Sequence, residues 1–348
     1  MKKLFFVLFI LLLKSIPISA QKERAYKIRT IAFYNVENLF DTINDPLKFD
    51  DDRTPDGKDK WISAYYNDKV HKIARVLSEI GLDKTKSSPD IIGLAEIENK
   101  NVLVDVINDP LLKNQNYSII HFDSPDARGI DVAFLFKKDV FVPMSFKSHE
   151  LVLYNDSGYR DYTRDQLLVS GFFDNEPFHF IVNHWPSRRG GEAKSRPNRE
   201  AAARLNKKII DSLLKKDIKA KVICMGDLND DPTNSSLKKV LKTESNIDSI
   251  KTHSIYNPME KIAKKGMGSL AYRDSWNLFD QIFFTSELLN ADKTSYRFWK
   301  AGIFNKKYLT VSRGRYKGYP LRSYAGGNYQ GGYSDHFPVY IYLIKEVD

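Results

Sequence analysis

Residues 222–229 read Val-Ile-Cys-Met-Gly-Asp-Leu-Asn, an apolar run that ends in a polar turn. A continuous apolar run without alternating polar side chains predicts a β-strand, here at residues 221–227, that is covered on both faces. Cys224 lies inside the run, and we expect a core thiol rather than a nucleophile, because apolar surroundings do not lower a thiol pKa. The segment therefore predicts a buried strand that presents Asp227 and Asn229 at its end.

The same pattern recurs on both sides of this strand. Further short apolar runs occupy residues 29–35, 91–96, 131–136, 178–184, 279–285 and 339–344. Apolar residues at helical spacing predict two amphipathic helices, over residues 68–80 and 199–214. Strands interleaved with helices predict an α/β protein with layered sheets. Three stretches rich in Gly, Pro, Asp and Lys predict long loops, which are often functional in compact domains: residues 41–60, 251–273 and 313–333.

The first twenty residues differ in composition from the rest of the chain. Two lysines precede an apolar run at residues 4–13, and the segment ends in a small residue, Ala20. This order is typical of a secretory signal peptide, and the run is shorter than the roughly 20 apolar residues of a membrane span. We therefore expect cleavage of residues 1–20, a single domain at residues 21–348, and no stable membrane insertion of the mature chain. The alternative is an uncleaved anchor.

Composition excludes several classes of protein. The 348 residues are 42% hydrophobic and 28% charged, which is too apolar for a disordered chain. A single cysteine excludes an intrachain disulfide framework and a cysteine-cluster zinc site. Lysine and arginine number 54 against 44 acidic residues, a balance of +10 that becomes +7 without the three lysines of the first twenty residues. A basic chain favours polyanionic partners such as nucleic acid or anionic lipid head groups.

Polar side chains recur at the ends of the predicted strands. They are Asn35, Glu37, Glu96, His184, Asp227, Asn229, Asp280, Asp335 and His336. In layered α/β folds such strand ends converge on a shared rim where ligands bind. Carboxylates and an amide oxygen are hard ligands that favour Mg²⁺, and two histidines beside them can move protons at neutral pH. Hydrolysis of a phosphate ester needs both functions, so we expect a phosphoester hydrolase.

In their order and spacing these residues resemble the endonuclease/exonuclease/phosphatase superfamily, which includes pancreatic-type deoxyribonucleases. The resemblance covers residues 30–343. The matching motifs are Asn35-Val36-Glu37, Glu96, His184, Gly226-Asp227-Leu228-Asn229, Asp280 and Ser334-Asp335-His336-Phe337-Pro338. The resemblance implies an α/β fold of four layers, a sandwich of two packed mixed β-sheets flanked by helices.

The resemblance also implies a metal centre. Glu96 would be the principal ligand of a Mg²⁺ ion, or of Mn²⁺ or Ca²⁺ in its place. Asn35 would lie beside Glu96, and Asp335 would lie near the same ion. Glu37 occupies a position that varies among members of the superfamily, so the resemblance gives it no defined role.

The remaining residues of the set would act on water and phosphate. Asp280 would hold His336 in the tautomer that accepts a proton from the attacking water. Asp227 and Asn229 would contact the scissile phosphate, with Asp227 orienting water or protonating the leaving group. His184 matches a second histidine of the deoxyribonuclease branch, where it resembles a general acid.

A structural role is the alternative for each of these residues. Isolated Asp and Asn side chains at strand ends often form turns or cap helices, and Asp335 and His336 could form a satisfied core pair. The acidic run Asp50-Asp51-Asp52 suggests calcium, but it lacks the spacing and the final Glu of the twelve-residue calcium loop. We therefore expect these acidic side chains to belong to a solvated loop.

Residues 184–192 predict a phosphate-binding segment. Arg188 and Arg189 precede a Gly-Gly turn, and planar guanidinium groups bind phosphate in bidentate fashion. Arg128 is a third candidate. The segment resembles secreted bacterial nucleases of the superfamily more than its lipid phosphatases. Five tyrosines among Gly and basic residues predict base stacking, with flexible surface aromatics as the alternative: Tyr316, Tyr319, Tyr324, Tyr329 and Tyr333.

Three functions remain open on the sequence alone. The favoured one is a secreted or periplasmic, metal-dependent endonuclease, a monomer that cleaves phosphodiesters of nucleic acid with little sequence preference. The second is a phosphatase or phospholipase of the same fold that acts on a phosphoinositide, sphingomyelin or a small phosphate ester. The third is a binding protein that has lost catalysis, and the complete set of polar residues argues against it.

Overall fold

Nineteen β-strands and five α-helices form the part of the chain that the computed structural model describes, residues 25–290 and 292–347. The predicted signal peptide at residues 1–20 lies outside these residues. The strands are β1 (Ala25–Leu39), β2 (Ile91–Ile97), β3 (Tyr117–His121), β4 (Asp131–Lys137), β5 (Phe141–His149), β6 (Leu153–Tyr154), β7 (Arg160–Asp161), β8 (Gln166–Phe173), β9 (Glu176–His184), β10 (Val222–Asp227), β11 (Thr243–Glu244), β12 (Ile255–Tyr256), β13 (Leu270–Tyr272), β14 (Ser275–Asn277), β15 (Asp280–Thr285), β16 (Arg297–Ile303), β17 (Tyr324–Ala325), β18 (Asn328–Tyr329) and β19 (Val339–Val347). The helices are α1 (Ser63–Glu79), α2 (Leu82–Thr85), α3 (Lys100–Asn108), α4 (Glu192–Lys216) and α5 (Met259–Ala263).

Two large mixed sheets form the centre of the fold. The first has six strands in the order β16-β19-β1-β2-β4-β3, and the second has seven in the order β11-β12-β15-β10-β9-β8-β5. Each contains a central parallel pair, β1 with β2 and β9 with β10, flanked by antiparallel neighbours. Two-stranded ribbons lie outside these sheets: β6-β7, β13-β14 and β17-β18.

The two sheets pack face to face through a core rich in phenylalanine. Phe134 of β4 lies 5.3 Å from Phe180 of β9 between ring centroids, and this contact joins the first sheet to the second. Phe141 of β5 meets both rings edge-on, at 5.7 and 5.4 Å. All three side chains are buried. Burial of each stabilises the fold by roughly 1.5–3 kcal/mol, and edge-to-face geometry adds to this.

Helices cover the outer faces of both sheets. Ile73 of α1 packs against Tyr34 on the first sheet, and Ile209 of α4 packs near Cys224 on the second. The predicted four-layer α/β sandwich is therefore confirmed. Cys224 is the buried core thiol that the sequence predicted, and burial raises its pKa well above the usual value. None of the helices in residues 25–290 and 292–347 has the length and apolar character needed to cross a bilayer.

The seven predicted strands all occur, and each ends within four residues of the predicted position. Helix α4 is the larger difference, because it begins at Glu192 rather than at residue 199. Its first turns are polar and contain Pro197, which is usually found where helices end. Arg199 holds this end in place, since its buried side chain donates to Asp230 over 2.6 Å. A tertiary contact therefore extends the helix beyond its periodic pattern.

Candidate active site

The ends of six strands meet at one edge of the packed sheets. Because β1 runs parallel to β2 and β9 runs parallel to β10, the carboxyl ends within each pair lie on the same side. The register of the second sheet places Asp227 opposite His184 on one side and opposite Asp280 on the other. Val339, the first residue of β19, pairs with Phe33 of β1, and the segment just before β19 brings His336 to the same edge. The fold thus gathers polar side chains that are far apart in sequence.

The imidazole of His336 is held by Asp280. Nδ1 of His336 donates to Oδ2 of Asp280 over 2.6 Å, and the hydroxyl of Ser269 donates to the same oxygen over 2.5 Å. The second oxygen of Asp280 is buried and has no hydrogen-bond partner among the described residues. Burial opposes protonation of His336, but the carboxylates of Asp280 and Asp227 outweigh it and raise the pKa of His336 well above its usual value.

Asp227 lies between the two histidines of the site. Oδ2 of Asp227 is 3.6 Å from Nε2 of His184 and 3.9 Å from Nε2 of His336. The carboxylate accepts the backbone N–H of Asn229 and the side-chain amide of Asn35, both over 3.0 Å. Burial raises the pKa of Asp227. Burial and nearby arginine charges lower the pKa of His184 well below its usual value, so the two histidine pKa values move in opposite directions.

Glu96 reaches this centre from the end of β2. Its Oε2 accepts the N–H of Asn38 over 2.8 Å, and its Oε1 accepts the amide of Asn35 over 3.3 Å. Nε2 of His184 lies 3.9 Å from Oε1 of Glu96. The φ angle is +65° at Glu96, +52° at Asn38 and +50° at Asn229. Non-glycine residues pay strain in this left-handed region, and such strain persists mainly where a functional site requires it.

Asp335 and Glu37 are joined by a residue that no sequence motif had indicated, Arg322. Nε of Arg322 donates to Glu37 over 3.0 Å, and Nη2 donates to Asp335 over 3.1 Å. The side chain of Glu37 is buried, whereas those of Asp335 and Arg322 are 37% and 50% exposed. Arg322 therefore lies at the mouth of the site and neutralises two of its carboxylates.

Lys69 is a second cation that the motifs missed. It is fully buried on α1, where it donates to the hydroxyl of Ser323 and to the carbonyl of Tyr333. Burial lowers the pKa of Lys69 to about 8, although the carboxylate of Glu37 acts in the opposite direction. A sequence signal existed, because Lys69 precedes Ile73 by four residues on the apolar face of the predicted helix. A cation on that face needs an acidic partner from elsewhere in the fold.

The donor set of this centre fits a hard divalent cation. Three side chains, Asp227, Asp280 and His336, offer ligand atoms that all lie within 4.8 Å of one another. The carboxylate of Glu96 adds oxygen donors from the first sheet. Asn35 turns its Nδ2 toward Glu96 and Asp227 and its oxygen toward a backbone N–H, so in this structure it orients two carboxylates. Carboxylate oxygens beside a histidine suit Mg²⁺ or Mn²⁺.

The three arginines predicted to bind phosphate lie in different settings. Arg188 is engaged by the protein itself, since its Nε donates to the carbonyl of Asn229 over 2.9 Å. Arg189 is exposed and makes no polar contact with the described residues. Arg128 is half exposed, and its charge contributes to the lowered pKa of His184. Nε of Arg128 pairs with Asp126 over 3.5 Å, so Arg128 keeps only its other donors, Arg189 is unengaged, and Arg188 braces the Asn229 turn.

The predicted tyrosines divide into two groups. Three of them pack beside α1 and its approach: Tyr324, Tyr329 and Tyr333. Tyr316 and Tyr319 form an aromatic platform with Trp276, whose ring is 40% exposed and lies 5.9 Å from that of Tyr319. Trp276 also stacks on Phe337, the residue after His336, over 6.0 Å. The platform therefore adjoins the candidate active site.

Two packed mixed sheets with a histidine–carboxylate centre at their strand ends define the class of α/β phosphoesterases. The family described as "Endonuclease/Exonuclease/phosphatase family" matches residues 30–345. The chain belongs to this family, and the resemblance found in its motifs is confirmed.

Solved structures of low sequence identity share the fold. An endonuclease/exonuclease/phosphatase family protein from Bacteroides thetaiotaomicron is 16% identical, with a TM-score of 0.53 over 93% of this chain and 97% of that chain. Truncated TDP2 from Caenorhabditis elegans is 13% identical, with a TM-score of 0.54 over 91% and 97% of the two chains. A mannosyl-6-phosphatase from Bacteroides thetaiotaomicron is 17% identical, with a TM-score of 0.51 over 90% and 99%. No curated protein sequence matches the chain significantly.

Proposed function

We propose that this protein is a metal-dependent phosphodiesterase that hydrolyses nucleic acid as an endonuclease. The main support is the 2.6 Å hydrogen bond from His336 to Asp280, which leaves Nε2 of His336 3.9 Å from carboxylate oxygens of both Asp227 and Asp335. A carboxylate that fixes one nitrogen of a histidine orients the other nitrogen for proton transfer. The buried carboxylates around His336 would repel a negatively charged phosphate, so the reaction needs a cation that neutralises part of their charge.

The side chains around His336 have complementary roles in this proposal. In the metal-free protein the raised pKa of His336 favours the imidazolium. The charge of a bound divalent cation would lower that pKa, so that Nε2 of His336 can accept the proton of the attacking water, and Asp280 stabilises the imidazolium that results. Asp227 orients that water from its position between the two histidines. Asn229 contacts the scissile phosphate. His184 is the proposed general acid for the leaving oxygen, and because its pKa is lowered in the substrate-free protein, it would gain its proton only beside the negative charge of the bound phosphate. The strained turns that carry Glu96 and Asn229 fix these groups before substrate arrives.

Glu96 and Asp335 are the proposed ligands of the divalent cation, with Asn35 as a ligand or as the group that aligns Glu96. Mg²⁺ is the favoured ion, and Mn²⁺ or Ca²⁺ are alternatives. When bound, it would supply charge neutralisation at the phosphoryl oxygens. Arg322 already pairs with Asp335 over 3.1 Å and keeps further N–H donors at the mouth, where a phosphate can accept them.

Charge and aromatic surface support nucleic acid as the substrate. The chain without residues 1–20 carries a net charge of +7, from +10 less three lysines. The aromatic platform of Trp276, Tyr316 and Tyr319 adjoins the site, and Arg315 lies 5.8 Å from the ring of Tyr316. Aromatic rings beside cations bind the bases and the backbone of nucleic acid together.

The second candidate function is that of a phosphatase or phospholipase, with a small phosphate ester as the substrate. The observation that favours it is an acidic cavity beside the end of β2, lined by Asp45, Asp50 and Glu98. A long polyanion would be repelled on this side of the molecule. A short ester that ends near Glu96 would avoid that repulsion.

The substrate test compares the purified protein on plasmid DNA, RNA and a phosphoinositide in the presence of Mg²⁺. The proposal expects DNA cleavage that a chelator abolishes and that falls steeply with salt, since phosphate contacts release counterions. Arg189→Ala should raise KM for DNA and flatten the salt dependence, whereas Arg204→Ala, an exposed residue on α4, should change neither. Intact DNA together with turnover of the small ester would favour the second candidate.

We also propose that residues 1–20 are a cleaved signal peptide and that the exported protein, secreted or periplasmic, is a single-domain monomer. The support is the composition of residues 1–20 and a basic, cysteine-poor chain. Mass spectrometry of the protein recovered outside the cytoplasm should give an N-terminus at Gln21. Retention of residues 1–20 would contradict cleavage, and a larger species in sedimentation would contradict the monomer.

A further inference from the structure

A cavity of about 330 Å³ lies next to the candidate active site, between the loop after β1 and the segment after β2. Six carboxylates line it, and we call it the acidic cavity: Asp41, Asp45, Asp50, Glu98, Asp123 and Asp131. Asp50 opens the acidic run for which a solvated loop was expected. Asp51 and Asp52 are exposed as expected, but Asp50 is only 2% exposed.

Three of these carboxylates are each fixed by one oxygen and have the other to spare. Oδ2 of Asp50 accepts the N–H of Asp45 over 2.9 Å, and Oε2 of Glu98 accepts the N–H of Asp41 over 2.6 Å. Oδ1 of Asp45 accepts the N–H of Leu47 over 2.9 Å. Oδ1 of Asp50 is buried and has no partner among residues 25–290 and 292–347. A buried oxygen of this kind costs stability unless something binds it.

Two of the six carboxylates have a nearby histidine, since His121 lies 3.8 Å from Asp123 and 3.1 Å from Asp131, but the other four have no ion-pair partner among the described residues. None of the Lys, Arg or His side chains in the described ranges lies within 4 Å of the carboxylates of Asp41, Asp45, Asp50 or Glu98. Lys48 also lines the cavity, but its Nζ donates to the carbonyls of Ser124 and Asp126, over 3.1 and 3.3 Å. Four of the six acidic side chains in the acidic cavity, Asp41, Asp45, Asp50 and Glu98, therefore have no described cation paired with them.

We propose that the acidic cavity binds a divalent cation of the calcium class, in addition to the cation of the active site. Oδ1 of Asp50 and Oε1 of Glu98 are the central ligands, and Asp45 completes the set directly or through water. Its ionisable ligands are all carboxylates, and Ca²⁺ accepts six to eight oxygen ligands in flexible geometry, including water. The proposed ligands include no histidine or cysteine, which disfavours Zn²⁺ at this position; His121 lies beside Asp123 and Asp131, the other two lining carboxylates. The cavity has room for the ion with several waters.

Such an ion would join segments that are distant in sequence. Asp45 and Asp50 belong to the loop after β1, and Glu98 follows β2, two residues beyond the proposed active-site ligand Glu96. Binding would fix the loop against the first sheet and stabilise the folded state in proportion to the ion concentration. This inference does not depend on the proposed function, because it concerns binding and stability rather than turnover.

The test is calorimetric and uses the purified full chain after treatment with a chelator. Titration of CaCl₂ into the Glu96→Gln variant, which lacks the principal active-site ligand, should still show one binding event. Saturating CaCl₂ should raise Tm by about 3 °C or more. Asp50→Asn should lose at least tenfold in affinity for CaCl₂ and most of the rise in Tm. Asp51→Asn is the matched control, because it removes the same charge from an exposed neighbour, and it should behave as the parent protein.

We expect the order of stability of the parent and Asp50→Asn to differ between the calcium-free and the calcium-bound protein. Without CaCl₂, Asp50→Asn should be at least as stable as the parent, since it removes a buried uncompensated charge. With CaCl₂ the parent should be the more stable of the two. Glu98→Gln serves in the same comparison if Asp50→Asn does not fold. The proposal is overturned if the parent shows no rise in Tm, or if Asp50→Asn and Asp51→Asn respond equally to CaCl₂.

Discussion

His336 is held by hydrogen bonds at both its backbone and its ring. Its backbone N–H donates to the hydroxyl oxygen of Ser334 over 3.0 Å, and that hydroxyl donates to the carbonyl of Asn35 over 2.7 Å. Its ring is held at Nδ1 by Asp280. The histidine that precedes β19 is thereby tied to the end of β1 on one side and to β15 on the other. A group held in this way loses little entropy when it reaches the transition state.

The first prediction concerns the hydrogen-bonded pair of His336 and Asp280. His336→Ala should lower kcat on DNA by roughly 10²–10⁴-fold, the contribution of a positioned general base. Asp280→Asn should also lower kcat, and the double variant should be little worse than His336→Ala, because the two residues act as a unit. His71→Ala, which changes a half-exposed histidine on α1, is the control. Multiplicative losses in the double variant would show that the residues act independently.

The second prediction concerns the cation at the mouth of the site. Arg322→Ala removes a charge that competes for Asp335, so half-maximal activity should need about fivefold less Mg²⁺, equivalent to ~1 kcal/mol for a half-exposed pair. Glu96→Gln should shift the Mg²⁺ requirement in the opposite direction. Titration of activity with Mg²⁺ measures both, and Arg313→Ala at an exposed position is the control. A higher Mg²⁺ requirement in Arg322→Ala would contradict competition for Asp335.

At the scale of elements, a strand or a site residue could be predicted from the sequence where a local pattern of residues marks it. Strands β9 and β10 are buried on both faces, so their apolar runs predicted them directly. Strand β5 lies at the edge of its sheet and exposes most of its side chains, so no such run marks it. In the site, each motif residue lies at a strand end, where the pattern could be recognised. Arg322 could not be found in this way, because its partner Glu37 is 285 residues away.

The third prediction concerns the polar start of α4. Arg199 is fully buried and donates to Asp230, which directly follows the Asn229 turn. Arg199→Met should lower the free energy of unfolding by about 3 kcal/mol, since it leaves a buried carboxylate with a weaker partner, Arg188 at 3.3 Å. Chemical denaturation measures this change, and Arg204→Met on the exposed side of α4 is the control. Equal effects of the two variants would show that helix propensity, rather than the buried pair, is responsible.

At the scale of the whole molecule, the two sheets are joined by polar clusters at both ends. At the active-site end Asn35 of the first sheet donates to Asp227 of the second over 3.0 Å, amid carboxylates that crowd one another. At the other end Arg29 of β1 donates to Asp174, in the turn between β8 and β9, over 2.7 Å. The first cluster contains buried carboxylates that are not balanced by cations, which costs stability but suits a catalytic site. In the second cluster the acidic and basic side chains form ion pairs. We therefore expect the second cluster to contribute stability in a pH-dependent way.

The fourth prediction tests that contribution through Asp174. Burial raises the pKa of Asp174, but hydrogen bonds from Arg29, Tyr296 and Lys27 outweigh it and lower the pKa to about 2. Because the pKa is lower in the folded state than the roughly 3.9 of an unfolded chain, folding favours the ionised carboxylate. The resulting stability is complete above about pH 5 and is lost as the pH falls toward 2.

Asp174→Asn removes this charge-dependent stability, so at pH 7 it should lower the free energy of unfolding by about 1–2 kcal/mol. The difference between parent and variant should shrink when denaturation is repeated at pH 5, 4, 3 and 2. Asp139→Asn, at an exposed carboxylate, should show no such convergence. A difference that stays constant down to pH 2 would mean that Asp174 joins the sheets through packing and neutral hydrogen bonds, with no contribution from its charge.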